Sequence, residues 1–119
     1  MANDVRLRLS RKHEDDVAEL LGGHHSKSSG NQWHDAADGK HGRYDDLSFA
    51  WDCKCVLPGT KSITVTRDDI AKITEQARGR KPSLPMRFYE SERGLFLPPF
   101  DLILIRLQDF AELRERALS

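Results

Sequence analysis

Apolar and polar positions change their spacing several times along the chain. Val17, Leu20 and Leu21 form one helical stripe, preceded by Glu14, Asp15 and Asp16 and ended by Gly22-Gly23. That is a helix with Ser10 as N-cap and acids where the dipole favours them. Upstream, Val5, Leu7 and Leu9 alternate with Arg6 and Arg8, which reads as a short strand or as an N-terminal arm, residues 1–9, packed on a partner. Residues 24–46 are polar and aperiodic, a length that marks a functional or disordered loop in a compact domain.

Leu47 to Val56 reads as a strand, and Leu57-Pro-Gly-Thr60 as a turn whose Pro and Gly preset the dihedrals. Ser62-Ile-Thr-Val-Thr66 alternates and is β-branched, so a hairpin partner is expected there. Ile70, Ile73 and Ala77 recur at helical spacing between Arg67 and Arg78, and Gly79 ends that helix. Pro85 to Tyr89 and Leu102 to Leu107 read as two further strands, and Asp109 to Ala117 as a closing helix. The order predicts an α/β fold, a central mixed β-sheet flanked by helices, in one domain over residues 1–119.

Composition narrows the class. A charged fraction of 32% with 38% hydrophobic residues fits a soluble globular protein. No apolar run suggests a membrane span, and the first residues lack the apolar core of a secretory signal, so a cytoplasmic location is expected. Cys53 and Cys55 are a poor disulfide framework and fit reduced thiols. Nineteen basic residues balance nineteen acidic ones. Coating nucleic acid by charge alone is thus disfavoured, while an enzyme with acids gathered around a metal is not.

The chemistry is concentrated in Asp52-Cys-Lys-Cys55. On a strand, Asp52 and Lys54 share one face and Cys53 and Cys55 the other. Alone, such a pair is usually an exposed ion pair, worth about 0–1 kcal/mol. Glu14 on the first helix and Asp38 in Ala36-Ala-Asp-Gly39 change its meaning. Three carboxylates converging from a helix, a loop and a strand make a hard oxygen site suited to Mg²⁺. A lysine beside it can assist a water nucleophile and stabilise charge on a phosphate.

Lys12-His-Glu-Asp-Asp-Val-Ala-Glu-Leu-Leu-Gly-Gly23, Ser26-Lys-Ser-Ser-Gly30, Asp38 fourteen residues ahead of Asp52, and Asp52-Cys-Lys54 stand in one order. Ser62-Ile-Thr-Val, the helix after it and Lys81-Pro-Ser-Leu-Pro-Met-Arg-Phe88 follow. From about Ser10 onward the chain resembles the PD-(D/E)xK nucleases, in particular the archaeal-type Holliday-junction resolvases. The resemblance implies a restriction-endonuclease-like core and a Mg²⁺-dependent, structure-selective endonuclease that nicks four-way DNA junctions, with Mn²⁺ able to substitute. It implies Glu14, Asp38 and Asp52 as metal ligands, Lys54 as the catalytic lysine and a homodimer as the acting form, of a recombination, repair or phage DNA-processing kind. The chain departs from the pattern in an apparent insertion, Asn31 to Ala37, and in Asp rather than Glu at position 52. Asp45 and Asp46 rival Asp38, and Glu19 is the alternative to Glu14.

Phosphate contacts are expected from Arg11, Lys27, Lys61, Arg78, Arg80 and Lys81, with Ser28 and Ser29 holding the scissile phosphate. The histidines His13, His24, His25, His34 and His41 lack regular ligand spacing, which disfavours a zinc site. Trp51 is expected in the core, Trp33 in the polar loop as a base-stacking residue, and Gln76 in solvent. Two other readings stay open: a nuclease-fold DNA-binding protein without catalysis, and an endonuclease for linear or damaged duplexes.

Overall fold

The computed structural model describes residues 2–25, 38–41 and 47–119. Helix α1 (Ala2–Leu21) leads into the short strands β1 (His24–His25) and β2 (Gly39–Lys40). Next come β3 (Phe49–Trp51), β4 (Lys54–Val56), α2 (Arg67–Ala77), β5 (Lys81–Tyr89), β6 (Phe96–Ile105) and α3 (Leu107–Leu118). The fold is α/β, with a mixed sheet and helices packed on it.

β1 and β2 pair antiparallel, as do β2 and β3. β3 and β4 both run parallel to β5 in one unbroken register, from Phe49 opposite Lys81 to Val56 opposite Phe88, so they are two halves of one strand line. β6 is antiparallel to β5 on its other edge. The same register sets Pro85 opposite Cys53. Proline has no N–H to give, and the ladder lapses at Asp52–Cys53, between the two halves.

Strand alternation sends Ala50 and Leu84 to one face, where they meet Ile73 and Ala77 of α2, with Val65 and Leu104 against them. Trp51 goes to the other face with Val17 and Ala18 of α1, joined by Leu21, Phe49 and Cys53. Thr66 caps α2 by a reciprocal pair of hydrogen bonds with Asp69, a capping box. The Arg78 C-cap is left-handed at φ 49°.

Several expectations change. Residues 2–9 are neither strand nor arm: they continue α1. Val5, Leu9, His13 and Val17 form an i, i+4 row, with Leu9 and Val17 buried, and this row overrides the short alternation. Ser10 is therefore inside the helix, not its cap. Ser62–Thr66 forms no strand; the chain must leave the sheet plane to build the parallel β4–α2–β5 crossover, and Val65 is spent packing on the α2 core. The polar stretch 24–46 contains β1 and β2 at its described ends. β5 begins at Lys81 rather than Pro85 and β6 at Phe96 rather than Leu102, and β6 ends at Ile105, with Leu107 opening α3; Pro82 precedes the first β6 pair at Ser83–Ile105, and Pro98 and Pro99 lie in the irregular stretch between Phe96 and Asp101.

Arg87 ties α1, β5 and β6 together. It is fully buried and donates from Nε and Nη2 to the Asp101 carboxylate (2.8 and 3.1 Å) and from Nη1 to Asp16 (2.7 Å). Its guanidinium stacks over Phe96 at 3.7 Å, and Tyr89 donates to the Leu9 carbonyl at 2.9 Å. Beside this network His13 is 1% exposed, and neither ring nitrogen has a hydrogen-bond partner among the described residues.

Burial, with the Arg87 guanidinium nearby, pushes His13 down from 6.5 to about 4. The unfolded chain takes up this proton first as pH falls, so the stability associated with neutral His13 is present above pH 6.5 and is lost toward pH 4. Replacing a buried polar group that has no partner by an apolar one of similar size removes a penalty of about 1–3 kcal/mol. His13→Leu is thus expected to raise the urea midpoint at pH 7 and to flatten its decline below pH 6.5. A lower midpoint for the variant at both neutral and acid pH would contradict this.

Candidate active site

The geometry of the site follows from one register. Gly39 pairs with Trp51 and Lys40 with Ala50, so the next position along brings Asp38 opposite Asp52. Glycine at 39 is required by space: a Cβ there would lie 2.2 Å from Trp51 Nε1. One at Gly23 would lie 2.2 Å from Trp51 Cη2. The indole thus lies against the backbone of the β1–β2 hairpin.

His41 fixes the same region. Its Nδ1 accepts from Phe49 N–H at 2.9 Å, so Nε2 carries the proton and donates to the Leu21 carbonyl at 2.6 Å. It also packs edge-on against Trp51.

At the break in the ladder, Cys53 N–H donates to Asp38 Oδ2 at 2.8 Å, while Asp52 N–H continues to the Ser83 carbonyl at 3.1 Å. Asp38 and Asp52 are in side-chain hydrogen-bond contact, and Glu14 lies within electrostatic reach. Burial, the Asp52 carboxylate and then Glu14 push Asp38 up from 3.8 to about 7, against the opposing pull of the Cys53 N–H. The same three acids, added to burial, push the Cys53 thiol well above its usual range, which makes it a poor nucleophile and a poor metal ligand.

Two of the expected site residues, Asp38 and Asp52, are therefore brought face to face, and Glu14 is near enough to act on Asp38 electrostatically. Among the described residues no three His, Cys, Asp or Glu side chains are gathered closely enough to hold one ion between them. The two-carboxylate core is what Mg²⁺ asks for, since it commonly keeps several waters and takes one or two carboxylates.

Lys54 departs from expectation. Its ammonium sits 3.5 Å from Asp69 Oδ2 at the start of α2, the oxygen that also accepts the Thr66 N–H. Asp69 has no part in the sequence reading, although Thr66-x-x-Asp69 before an apolar run is a legible capping signal. A cleft of about 290 Å³ opens beside Lys54, lined by Ser10, Glu14, Cys53, Cys55, Ile63 and Thr64 among others.

The expected phosphate contacts divide. Arg11, Lys61 and Arg78 are exposed. Arg80 is buried, and its Nε donates to the His41 carbonyl at 2.8 Å. Lys81 is paired with Glu112 at 2.8 Å and Asp109 at 3.8 Å. These two charges hold the fold, and neither is offered to a phosphate. Lys27, Ser28, Ser29, Trp33, His34, Asp45 and Asp46 lie outside the described residues. Glu19 is exposed.

A raised Asp38 has a definite pH signature. Between about pH 4 and about pH 7 the unfolded chain has lost this proton while the folded chain keeps it. Folding stability therefore falls as pH rises through that window and levels off above it, by an amount on the order of a few kcal/mol. Asparagine keeps an acceptor for the Cys53 N–H and removes the repulsion. Asp38→Asn is expected to stabilise the protein at pH 8 much more than at pH 4, with Mg²⁺ raising the melting temperature of the wild type and not of the variant. Equal effects of the substitution at both pH values would overturn this assignment.

No family model, no curated protein and no solved structure matches this chain.

Proposed function

We propose that the chain is a Mg²⁺-dependent endodeoxyribonuclease that nicks branched DNA, with four-way junctions as its preferred substrate. The observation that carries this reading is the facing pair Asp38 and Asp52, with Glu14 beside it, and Lys54 two residues further along the same strand line. The helix, antiparallel hairpin, strand, helix and parallel strand order agrees with the restriction-endonuclease-like core that the sequence resemblance implies.

Asp38 and Asp52 would hold the metal, with Glu14 adding negative charge from within electrostatic reach; the metal would supply charge for a scissile phosphate and lower the pKa of an attacking water. Asp38 is fixed by the Cys53 N–H, so its orientation needs no reorganisation when the proton is exchanged for a cation. Lys54 lies 3.5 Å from Asp69 and would turn from that partner toward an incoming phosphate. Arg11, Lys61 and Arg78 supply exposed charge for the DNA backbone, with a steep salt dependence. Cutting two strands symmetrically needs two sites, and a two-fold homodimer provides them.

A second reading, a nuclease-fold protein that binds DNA without cutting it, draws support from the Lys54–Asp69 pair, which occupies the lysine elsewhere. A labelled four-way junction incubated beside a linear duplex, with and without Mg²⁺, separates the two. The proposed enzyme nicks the junction only with the metal. Asp52→Asn and Lys54→Ala each lower the nicking rate by about 100-fold or more while junction binding persists. Tight binding with no nicking in Mg²⁺ or Mn²⁺ establishes the second reading, and preferential cutting of the duplex removes the junction preference.

A further inference from the structure

A second cleft, of about 400 Å³, lies at the end of the sheet beyond β4. It is lined by turn residues 59–61, by Phe88, Tyr89 and Glu90 where β5 ends, and by Phe100 of β6. Its volume falls in the range of small-molecule sites, about 300–1,000 Å³. Phe88 and Phe100 meet edge to face with ring centroids 6.2 Å apart, and Phe100 is 45% exposed. The turn that forms one wall is closed by the Thr60 N–H, which donates to the Leu57 carbonyl at 3.1 Å. Lys61 therefore leaves the turn from a fixed point.

Two charges of opposite sign stand at this cleft. Lys61 and Glu90 are both exposed, and neither side chain has a partner among the described residues. The nearby charges Arg87 and Asp101, in contrast, bond to each other. An aliphatic occupant has no use for a free ammonium and a free carboxylate. A nucleotide uses both: its base stacks on an aromatic ring, its phosphate takes the ammonium, and an exocyclic amine of the base donates to the carboxylate. Strand register places the cleft relative to the acids. Lys54 stands opposite Met86 and Val56 opposite Phe88, so Lys54 and Phe88 point to one face of the sheet, with Phe88 two residues further along. Two residues of strand span about 7 Å, which is about two base steps of a B-form strand.

We propose that this cleft binds one unstacked nucleobase with its phosphate. Phe88 and Phe100 pack on the base, Lys61 holds the phosphate and Glu90 accepts from the exocyclic amine. Thymine carries no such amine and presents carbonyl oxygens on both sides of its N3–H, which a carboxylate repels. The site therefore prefers cytosine to thymine. A base is least costly to take out of the stack where pairing is already interrupted, as at a branch point. The inference deepens the nuclease reading and rests on it for the place of the base, about two nucleotides from the cut. The binding itself needs neither metal nor cleavage.

NMR titration of the full chain with dCMP, in buffer free of divalent ions, tests it. The ring signals of Phe88 and Phe100 and the side-chain signals of Lys61 are expected to shift together and saturate at millimolar nucleotide. Binding of dTMP is expected to be weaker by about 5-fold or more. Phe100→Ala should weaken dCMP binding by about 10-fold, and Glu90→Ala should erase the preference for dCMP over dTMP. Cleft signals that ignore dCMP, or that answer dCMP and dTMP equally in the wild type, overturn the proposal. So does a Lys61 shift that inorganic phosphate reproduces at the same midpoint, which is an anion contact only. A response of the same rings to N-acetylphenylalanine amide without one to dCMP makes the cleft a peptide pocket and overturns it too. These outcomes are read on the wild type, so a Phe100→Ala chain that fails to fold leaves the proposal decidable. Nucleotide binding in a protein that nicks no DNA refutes the nuclease reading alone; nicking by a protein whose cleft ignores dCMP refutes the cleft alone.

Discussion

Two carboxylates are held face to face by a strand register that neither of them favours. Like charges directly opposite across an antiparallel pair are destabilising, so something else must set that register. It is set by Trp51, whose indole lies where a side chain at Gly39 or Gly23 would have to be, and by His41, which bonds to the end of α1 and to β3 at once. The packing of one tryptophan against backbone thus fixes where Asp38 and Asp52 stand. The strain of that arrangement is the raised Asp38, and the divalent cation proposed for this site would relieve it.

The rest of the molecule keeps this arrangement in place from both sides of the sheet. On one face the α2 core of Ala50, Ile73, Ala77 and Leu84 anchors the parallel crossover. On the other, Arg87 binds Asp16 of α1 and Asp101 of β6, so the helix that carries Glu14 is fixed to the sheet a short distance from the acids. Breaking such a buried pair by removing one partner costs far more than the pair contributes net. Arg87 is accordingly a positional constraint on Glu14 as well as a structural group. Pro85 has no N–H to offer the Asp52 carbonyl, so the β5 ladder lapses there, and the Cys53 N–H, on the edge of the strand that faces β2, donates to Asp38.

Local features were legible in the sequence and long-range ones were not. The turn at Leu57–Thr60 and the span of α2 were readable because Pro, Gly and helical periodicity act within a few residues. The spacing of Asp38 ahead of Asp52 was readable as well, and the Gly39–Trp51 register realises it. The β-branched run Ser62–Thr66 misled because an extended connection and a strand have the same local preferences, and only the parallel crossover decides between them. Residues 2–9 satisfied a strand and a helix alike, and contacts distant in sequence decide, such as the Tyr89 hydroxyl on the Leu9 carbonyl. Charge alone could not separate Arg80 and Lys81, which bond inward, from Arg78, which is exposed, since partners distant in sequence settle that. The engagement of Lys54 by Asp69 was hidden for the same reason, although the capping box that places Asp69 was on display.

The central claim concerns one proton. Carbon-detected NMR of the Asp38 carboxyl, in protein free of divalent ions, should show it titrating near pH 7, and added Mg²⁺ should move that midpoint to well below neutral. An Asp38 carboxyl that titrates near 4 with or without Mg²⁺ would mean that the facing acids do not share a site, and the account of the centre would fail.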